Sequence, residues 1–124
     1  MKRYYIFIQI CFFSFVFCNC AIAQTTLVGT GASWKYLDNG SNQGTAWRSR
    51  TFNDSAWNQG GAQLGYGDDD VLTKLNFGPD SANKFITYYF RHNFVVDDVK
   101  GFISLVLGVV RDDGAVVYLN GKEV

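Results

Sequence analysis

Hydrophobic and polar positions alternate most regularly along residues 87–96. One face carries Tyr88, Phe90, His92, Phe94 and Val96, and the other, more polar face carries Thr87, Tyr89, Arg91, Asn93 and Val95. A period of two is typical of a β-strand with one buried face. The pattern therefore predicts a strand over residues 87–96 whose first face, including His92, packs in the core.

Three other stretches predict strands. Ser33–Leu37 is predicted as the first strand, and Phe102–Val110 is almost continuously apolar, as in a strand buried on both faces. Ala115–Leu119 lies between Asp113-Gly114 and Asn120-Gly121, two dipeptides that tolerate the positive φ of tight hairpin turns. Few residues follow the second turn, so the hairpin is predicted to be cut off in mid-strand.

The composition agrees with these strands. The chain has 13 glycines, one proline and 17% aromatic residues. Glycine weakens a helix interior by about 1 kcal/mol, whereas aromatic residues favour strands. The polar segment Asp38–Gly44 predicts a flexible loop. We expect a single all-β domain.

The first 23 residues resemble a secretory leader. Lys2 and Arg3 precede an apolar run, Tyr4–Phe17, and Ala23 completes a small-residue cleavage site. We predict a signal-peptide helix within residues 1–23, cleavage between Ala23 and Gln24, and a bacterial protein that is secreted or displayed at the cell surface. An uncleaved membrane anchor is the alternative, because about 20 residues span a bilayer.

Charge and cysteines narrow the possible partners. All three cysteines and two basic residues lie in the leader, so residues 24–124 have no thiol and carry eleven acidic against nine basic residues. A nearly neutral surface gives no reason to expect nucleic acid or, after cleavage, a membrane as partner. Without thiols, neither a disulfide nor a Cys/His zinc site is possible in the mature chain.

Several motifs resemble those of a known module. Phe52–Trp57, Gln63–Gly67 and Val117–Lys122 are similar to the Phe-x-Asp-x-x-Trp and Val-Tyr-x-Asn-Gly-Lys signatures of galactose-binding-like β-sandwich modules, which accompany secreted glycoside hydrolases. The run from Ser33 to Gly114 more closely resembles an N-terminal module of large secreted bacterial proteins, among them calcineurin-like metallophosphoesterases. The resemblance implies that residues 24–124 form an incomplete jelly-roll β-sandwich, truncated at its C-terminus.

The resemblance also suggests where a ligand could bind. Trp47, in a Gly- and Ser-rich region, is the candidate for a sugar-stacking surface, although it can equally belong to the core. Trp34 and Trp57 are expected in the core, because large aromatic residues are on average heavily buried.

Asp112 and Asp113 resemble the adjacent aspartates of PA14-type lectin modules, in which two carboxylates hold a Ca²⁺ ion that binds sugar hydroxyls. Calcium takes about 6 to 8 oxygen ligands, so other loops would have to contribute. The alternative is that both aspartates begin a turn, with a side chain bonded to a nearby amide. Asp68–Asp70 is a second acidic loop with the same two interpretations.

Nothing in the sequence selects a catalytic group, since the single histidine, His92, is predicted in the core. We therefore expect a non-enzymatic, exported accessory module that binds carbohydrate or packs against a downstream domain. The alternative is that the chain begins a secreted hydrolase, such as a calcineurin-like metallophosphoesterase, whose catalytic domain lies beyond Val124.

Overall fold

The computed structural model of the chain describes residues 24–124, which form short β-strands, loops and two single-turn 3₁₀ helices. The strands are β1 (Ser33–Leu37), β2 (Asn58–Gly61), β3 (Leu64–Gly65), β4 (Thr73–Lys74), β5 (Tyr89–Arg91), β6 (Tyr118–Leu119) and β7 (Lys122–Glu123). The 3₁₀ helices are Ala46–Arg48 and Val99–Gly101. The predicted all-β class agrees with this structure, and no helix within residues 24–124 is long and apolar enough to cross a membrane.

The predicted leader, residues 1–23 with Ala23 at its end, lies outside the described residues. Gln24, the predicted mature N-terminus, is the first described residue and is exposed. The signal-peptide helix and its cleavage site therefore stay predictions.

The largest sheet has three antiparallel strands in the order β2-β1-β5. The predicted first strand is confirmed as β1, at its centre. A glycine in β2 allows the neighbouring strand to approach, because a Cβ on Gly60 would lie 2.5 Å from the Thr73 side chain. The Thr73 hydroxyl donates to the carbonyl of Gly61 at 2.7 Å, which holds β4 beside β2.

A buried carboxylate ties β1 to the chain after β4. Asp38 directly follows β1, and its side chain accepts hydrogen bonds from the backbone N–H of Asn76 at 2.7 Å and the side-chain amide of Asn58 at 3.4 Å. Leu75, next to Asn76, is buried as well. Because its carboxylate is hydrogen-bonded, Asp38 can be buried without leaving unpaired oxygens.

The alternation over residues 87–96 mispredicts which face is buried. Tyr89, predicted to face water, is a core residue and packs against Trp47 and Trp57, with ring centroids 5.2 and 6.2 Å apart. The predicted ten-residue strand is also wrong in length, since only Tyr89–Arg91 forms a strand, opposite residues 35–37 of β1. Because Trp47 and Trp57 both contact Tyr89, the face of β5 that carries Tyr89 is the one covered by aromatic side chains.

His92 lies on the other side of the sheet. It is half-buried, with its ring centroid 4.9 Å from that of Trp34 and its Nδ1 2.9 Å from the carbonyl oxygen of Ser33. The expectation that His92 and Trp34 are core residues is wrong, because both are only half-buried, whereas the expectation is confirmed for Trp57.

The strand predicted over Phe102–Val110 is absent, and this prediction is wrong. The side chains of Ile103 and Val106 are 90% and 82% exposed. Within residues 24–124 no strand pairs with this segment, so its backbone has no ladder and its side chains have no opposing layer.

The hairpin at Asn120-Gly121 is confirmed. Strands β6 and β7 are antiparallel, and the turn residues have φ of 51° and 84°. The predicted strand Ala115–Leu119 is reduced to β6, although the Val124 N–H also donates to the Val117 carbonyl at 3.1 Å. Asparagine and glycine fit here because both tolerate positive φ.

Candidate functional site

An open cavity of about 1020 Å³ lies between β3, β5, the first 3₁₀ helix and the segment leading to β6. Its aromatic wall includes Trp47, Tyr66, Tyr88, Tyr89 and Tyr118, and its charged lining residues are Arg48, Asp68, Arg111, Asp112 and Asp113. The cavity thus brings together the three ligand-binding candidates of the sequence, Trp47, Asp112 and Asp113. Gln24 and His92 are not among its lining residues.

Trp47 connects the core to the cavity. Its ring makes edge contacts with Tyr89 and Tyr118, at centroid distances of 5.2 and 5.6 Å and interplanar angles of 73° and 87°. Such T-shaped pairs are a favourable aromatic geometry and fix the orientation of the indole. Because Trp47 remains half-buried, it both packs on the core and forms part of the cavity wall.

An ion pair holds the loop that carries Trp47. Arg91 in β5 donates from Nε to Asp54 Oδ2 at 2.8 Å, and these side chains are only 10% and 20% exposed. Nη1 of Arg91 also donates to the backbone carbonyls of Trp47 and, at 3.1 Å, of Ser49. Bonds to two nearby loop carbonyls fix the backbone at Trp47 relative to the sheet.

The Phe-x-Asp-x-x-Trp motif is therefore structural in this chain. Its Asp54 pairs with Arg91, while Phe52 packs edge-on against Trp57 with centroids 5.6 Å apart. The Arg91 guanidinium also lies 5.2 Å from the centre of the Phe52 ring. The three motif side chains thus anchor the loop of residues 46–57 on β5.

Arg48 follows Trp47 in the same 3₁₀ turn. Its guanidinium carbon lies 4.3 Å from the centre of the Tyr118 ring, a cation–π contact. Its Nε is buried, and within residues 24–124 it is the one buried side-chain polar atom without a hydrogen-bond partner. A buried donor without a partner costs about 1–3 kcal/mol. Arg48 as a whole is only half-buried and lines the cavity, so the rest of its guanidinium group is placed to meet an acceptor there.

Tyr66 and Tyr88 form a hydroxyl pair on the cavity wall. Tyr88 donates to the Tyr66 hydroxyl at 3.4 Å. Burial, and then the hydrogen bond to Tyr66, raise the pKa of Tyr88 well above its usual range. Lys84 lies over the other tyrosine, with Nζ 4.6 Å from the Tyr66 ring centre. Tyr88 therefore stays protonated to higher pH than an ordinary tyrosine, and its hydroxyl group can donate and accept hydrogen bonds.

Asp112 and Asp113 lie on the cavity but are arranged as a turn. The Asp113 N–H donates to Asp112 Oδ1 at 2.9 Å, Asp113 has φ 60°, and Arg111 Nη1 donates to the Asp113 carbonyl. In the part of the chain that the structure describes, no group of three or more His, Cys, Asp or Glu side chains is placed to hold a metal ion. Since calcium needs about 6 to 8 oxygen ligands, a site here would need further oxygens from backbone carbonyls or other loops. The hydrogen bond between the two aspartates favours the turn interpretation, and calcium binding at Asp112 and Asp113 stays a prediction.

Arg48, Tyr66, Tyr88 and Tyr118 were not singled out as ligand contacts by the sequence pattern. They come from four separate segments, so only the fold unites them. Tyr118 did lie within a recognised motif, Val117–Lys122, whose hairpin turn explains the glycine but gives no hint of the Arg48 contact.

No family model, curated protein or solved structure matches the chain. Functional inference therefore rests on the chemistry of the cavity itself.

Proposed function

We propose that the chain is an exported, non-catalytic accessory β module that binds carbohydrate in the cavity beside Trp47. The observation that carries this proposal is the meeting of an oriented indole with tyrosine hydroxyls and charged groups on one open cavity of about 1020 Å³. Small-molecule sites are typically concave and aromatic, at about 300–1,000 Å³, with a few polar groups that fix orientation. A sugar offers both an apolar ring face and hydroxyls to such a wall.

The finer fold assignment belongs to the same proposal. We infer a jelly-roll β-sandwich of the galactose-binding-like type, of which residues 24–124 form one part. The motif resemblances support this assignment, as does the hairpin of β6 and β7, formed by the Val-Tyr-x-Asn-Gly-Lys signature. Export, to the medium or the cell surface, rests on the leader pattern of residues 1–23.

One observation favours a second role, packing against a downstream domain. The apolar stretch Phe102–Val110 is largely exposed, and contiguous apolar patches of this kind commonly mark interaction sites. In this alternative the chain is the first module of a secreted hydrolase, such as a calcineurin-like metallophosphoesterase, and the exposed stretch is covered by the rest of that protein.

The test of carbohydrate binding compares two tryptophans. Titration calorimetry against a panel of soluble oligosaccharides is expected to find a binding partner, and Trp47→Ala is expected to weaken that affinity about tenfold or more, since it removes the ring from the cavity. Trp34→Ala is the matched control, because Trp34 is also half-buried but packs on His92. Absence of binding across the panel, or equal losses in both variants, would overturn the proposal.

A further inference from the structure

Arg48 is a positively charged residue of the cavity that lacks a carboxylate partner within residues 24–124. The other half-buried arginine, Arg91, has its carboxylate partner in Asp54. Within residues 24–124 that pair is the one salt bridge, so Arg48 has no carboxylate partner there. Its guanidinium instead lies over the Tyr118 ring, with Nε buried and unpaired.

The position of Arg48 relates it directly to the proposed ligand. Trp47 and Arg48 are consecutive residues of one 3₁₀ helix, and both line the cavity. A ligand that places an apolar ring face near Trp47 therefore brings its substituents close to a guanidinium group. The planar guanidinium matches the geometry of a carboxylate better than that of a neutral hydroxyl.

Three carboxylates of the cavity, Asp68, Asp112 and Asp113, oppose an anionic ligand, but they do so from exposed positions. Arg111 is engaged with the carbonyl of Asp113, and the carboxylate of Asp112 accepts the Asp113 amide. These three residues and Asp68 are exposed, so water and salt screen their charges, whereas Arg48 is half-buried.

We propose that Arg48 is a specificity-determining residue that pairs with the carboxylate of an acidic saccharide, a uronic acid, bound beside Trp47. This inference rests on the proposed carbohydrate function. It predicts that the cavity prefers a uronate over the same saccharide with its carboxylate blocked.

The experiment uses trigalacturonic acid and its fully methyl-esterified form, which have the same length and ring geometry but differ in charge. Calorimetric titration of the protein is expected to give about tenfold or greater preference for the acid, the size of a charge-assisted hydrogen bond. Arg48→Gln is expected to weaken binding of the acid about tenfold more than binding of the ester, and so to abolish the preference. Arg48→Lys is expected to restore part of the preference, since it keeps the charge without the planar fork.

Arg50→Gln is the matched control, because Arg50 is two residues away and exposed, and its variant has the same change in net charge. It is expected to retain the preference. Equal affinity of the wild-type protein for acid and ester, or equal losses in Arg48→Gln and Arg50→Gln, would overturn the role of Arg48. Because the comparison of acid with ester uses the wild-type protein, it stays decisive even if Arg48→Gln fails to fold.

The panel described for Trp47 separates the two proposals. Binding of neutral saccharides with no preference for the acid would reject only the role of Arg48. Absence of binding to both trigalacturonates and to the whole panel would reject carbohydrate binding itself.

Discussion

Residues 33–91 and residues 92–117 are both rich in apolar side chains, but the buried ones, Trp57, Leu75 and Tyr89, all lie in the first region. Trp57 and Tyr89 in the first region are 7% and 9% exposed, whereas Ile103 in the second is 90% exposed. The first region contains five strands, β1 to β5, and the second contains no strand. The difference cannot come from hydrophobicity, since Phe102–Val110 is the more continuously apolar of the two.

The two regions differ in whether their apolar segments have side chains to pack against and strands to pair with. Trp57 meets Phe52 on one side and Tyr89 on the other, and β5 finds its hydrogen-bond partner in β1. Phe102–Val110 has neither a paired strand nor an opposing layer within the described residues. An extended apolar segment becomes a core strand only where another strand satisfies its N–H and C=O groups.

The largest expected effect tests burial itself. Trp57→Ala is expected to lower the free energy of unfolding by about 3–5 kcal/mol, because it leaves a cavity among Phe52 and Tyr89. Ile103→Ala is the control from residues 92–117, the open region, and is expected to change the free energy of unfolding by less than about 0.5 kcal/mol. Urea unfolding followed by circular dichroism measures both. Similar losses would show that the open region is packed in solution and would break the comparison.

The next effect concerns the ion pair that anchors the loop on β5. Asp54→Asn is expected to cost about 2 kcal/mol, since it removes the counter-charge from an arginine that is only 10% exposed. Asp97→Asn removes an exposed carboxylate in the open region and is expected to have little effect. The same unfolding measurement applies. If both substitutions cost equally little, the Arg91 network does not stabilise the fold.

A smaller difference in stability is expected between alanine substitutions at two glycines, one in the terminal hairpin and one in residues 92–117. Gly121 has φ 84° in the terminal hairpin, and a Cβ there would lie 3.4 Å from the Arg48 carbonyl oxygen. Gly121→Ala is therefore expected to destabilise by about 1 kcal/mol, mainly through the positive φ. A Cβ on Gly108 would meet no atom within 4 Å, so Gly108→Ala is expected to be neutral. Equal thermal midpoints for the two variants would contradict this difference.

Local sequence signals predicted what depends on local geometry. Ser33–Leu37 forms a strand with the predicted bounds, and Asn120-Gly121 forms the predicted turn, because both residues readily adopt positive φ. Trp57 is buried as expected. Trp47, Asp112 and Asp113 do line one cavity, although the two aspartates form a turn there.

Features that depend on distant partners escaped prediction. Alternation over residues 87–96 shows that two faces exist, but the arrival of Trp47 and Trp57 decides that the Tyr89 face is buried. The contact of Arg48 with Tyr118 joins positions 70 apart in the sequence, and no spacing rule connects them. Phe102–Val110 shows the converse case: its apolar sequence predicts a strand, but no strand forms there because no neighbouring strand pairs with it.

The smallest expected effect uses tyrosine ionisation, which reports on residues 33–91 and not on residues 92–117, because the latter contain no tyrosine. Burial first, and the hydrogen bond to Tyr66 second, raise the pKa of Tyr88, so one tyrosine is expected to ionise later than the others in an absorbance titration. Tyr66→Phe is expected to lower the pKa of Tyr88 but to leave it above its usual range, because burial is the larger cause. Tyr118→Phe should leave the late step in place.

The sign of the linked stability follows from the same shift. The folded state holds the Tyr88 proton more tightly than the unfolded chain, so its contribution is fully present below the unfolded pKa of about 10 and is lost as the pH rises above that value towards the folded one. Unfolding measurements between neutral pH and pH values above about 10 should therefore show a decline in stability that is smaller in Tyr66→Phe than in the wild-type protein. A titration in which every tyrosine ionises together would mean that Tyr88 is open to water. In that case the packing of residues 33–91 would not include Tyr88 on the cavity wall.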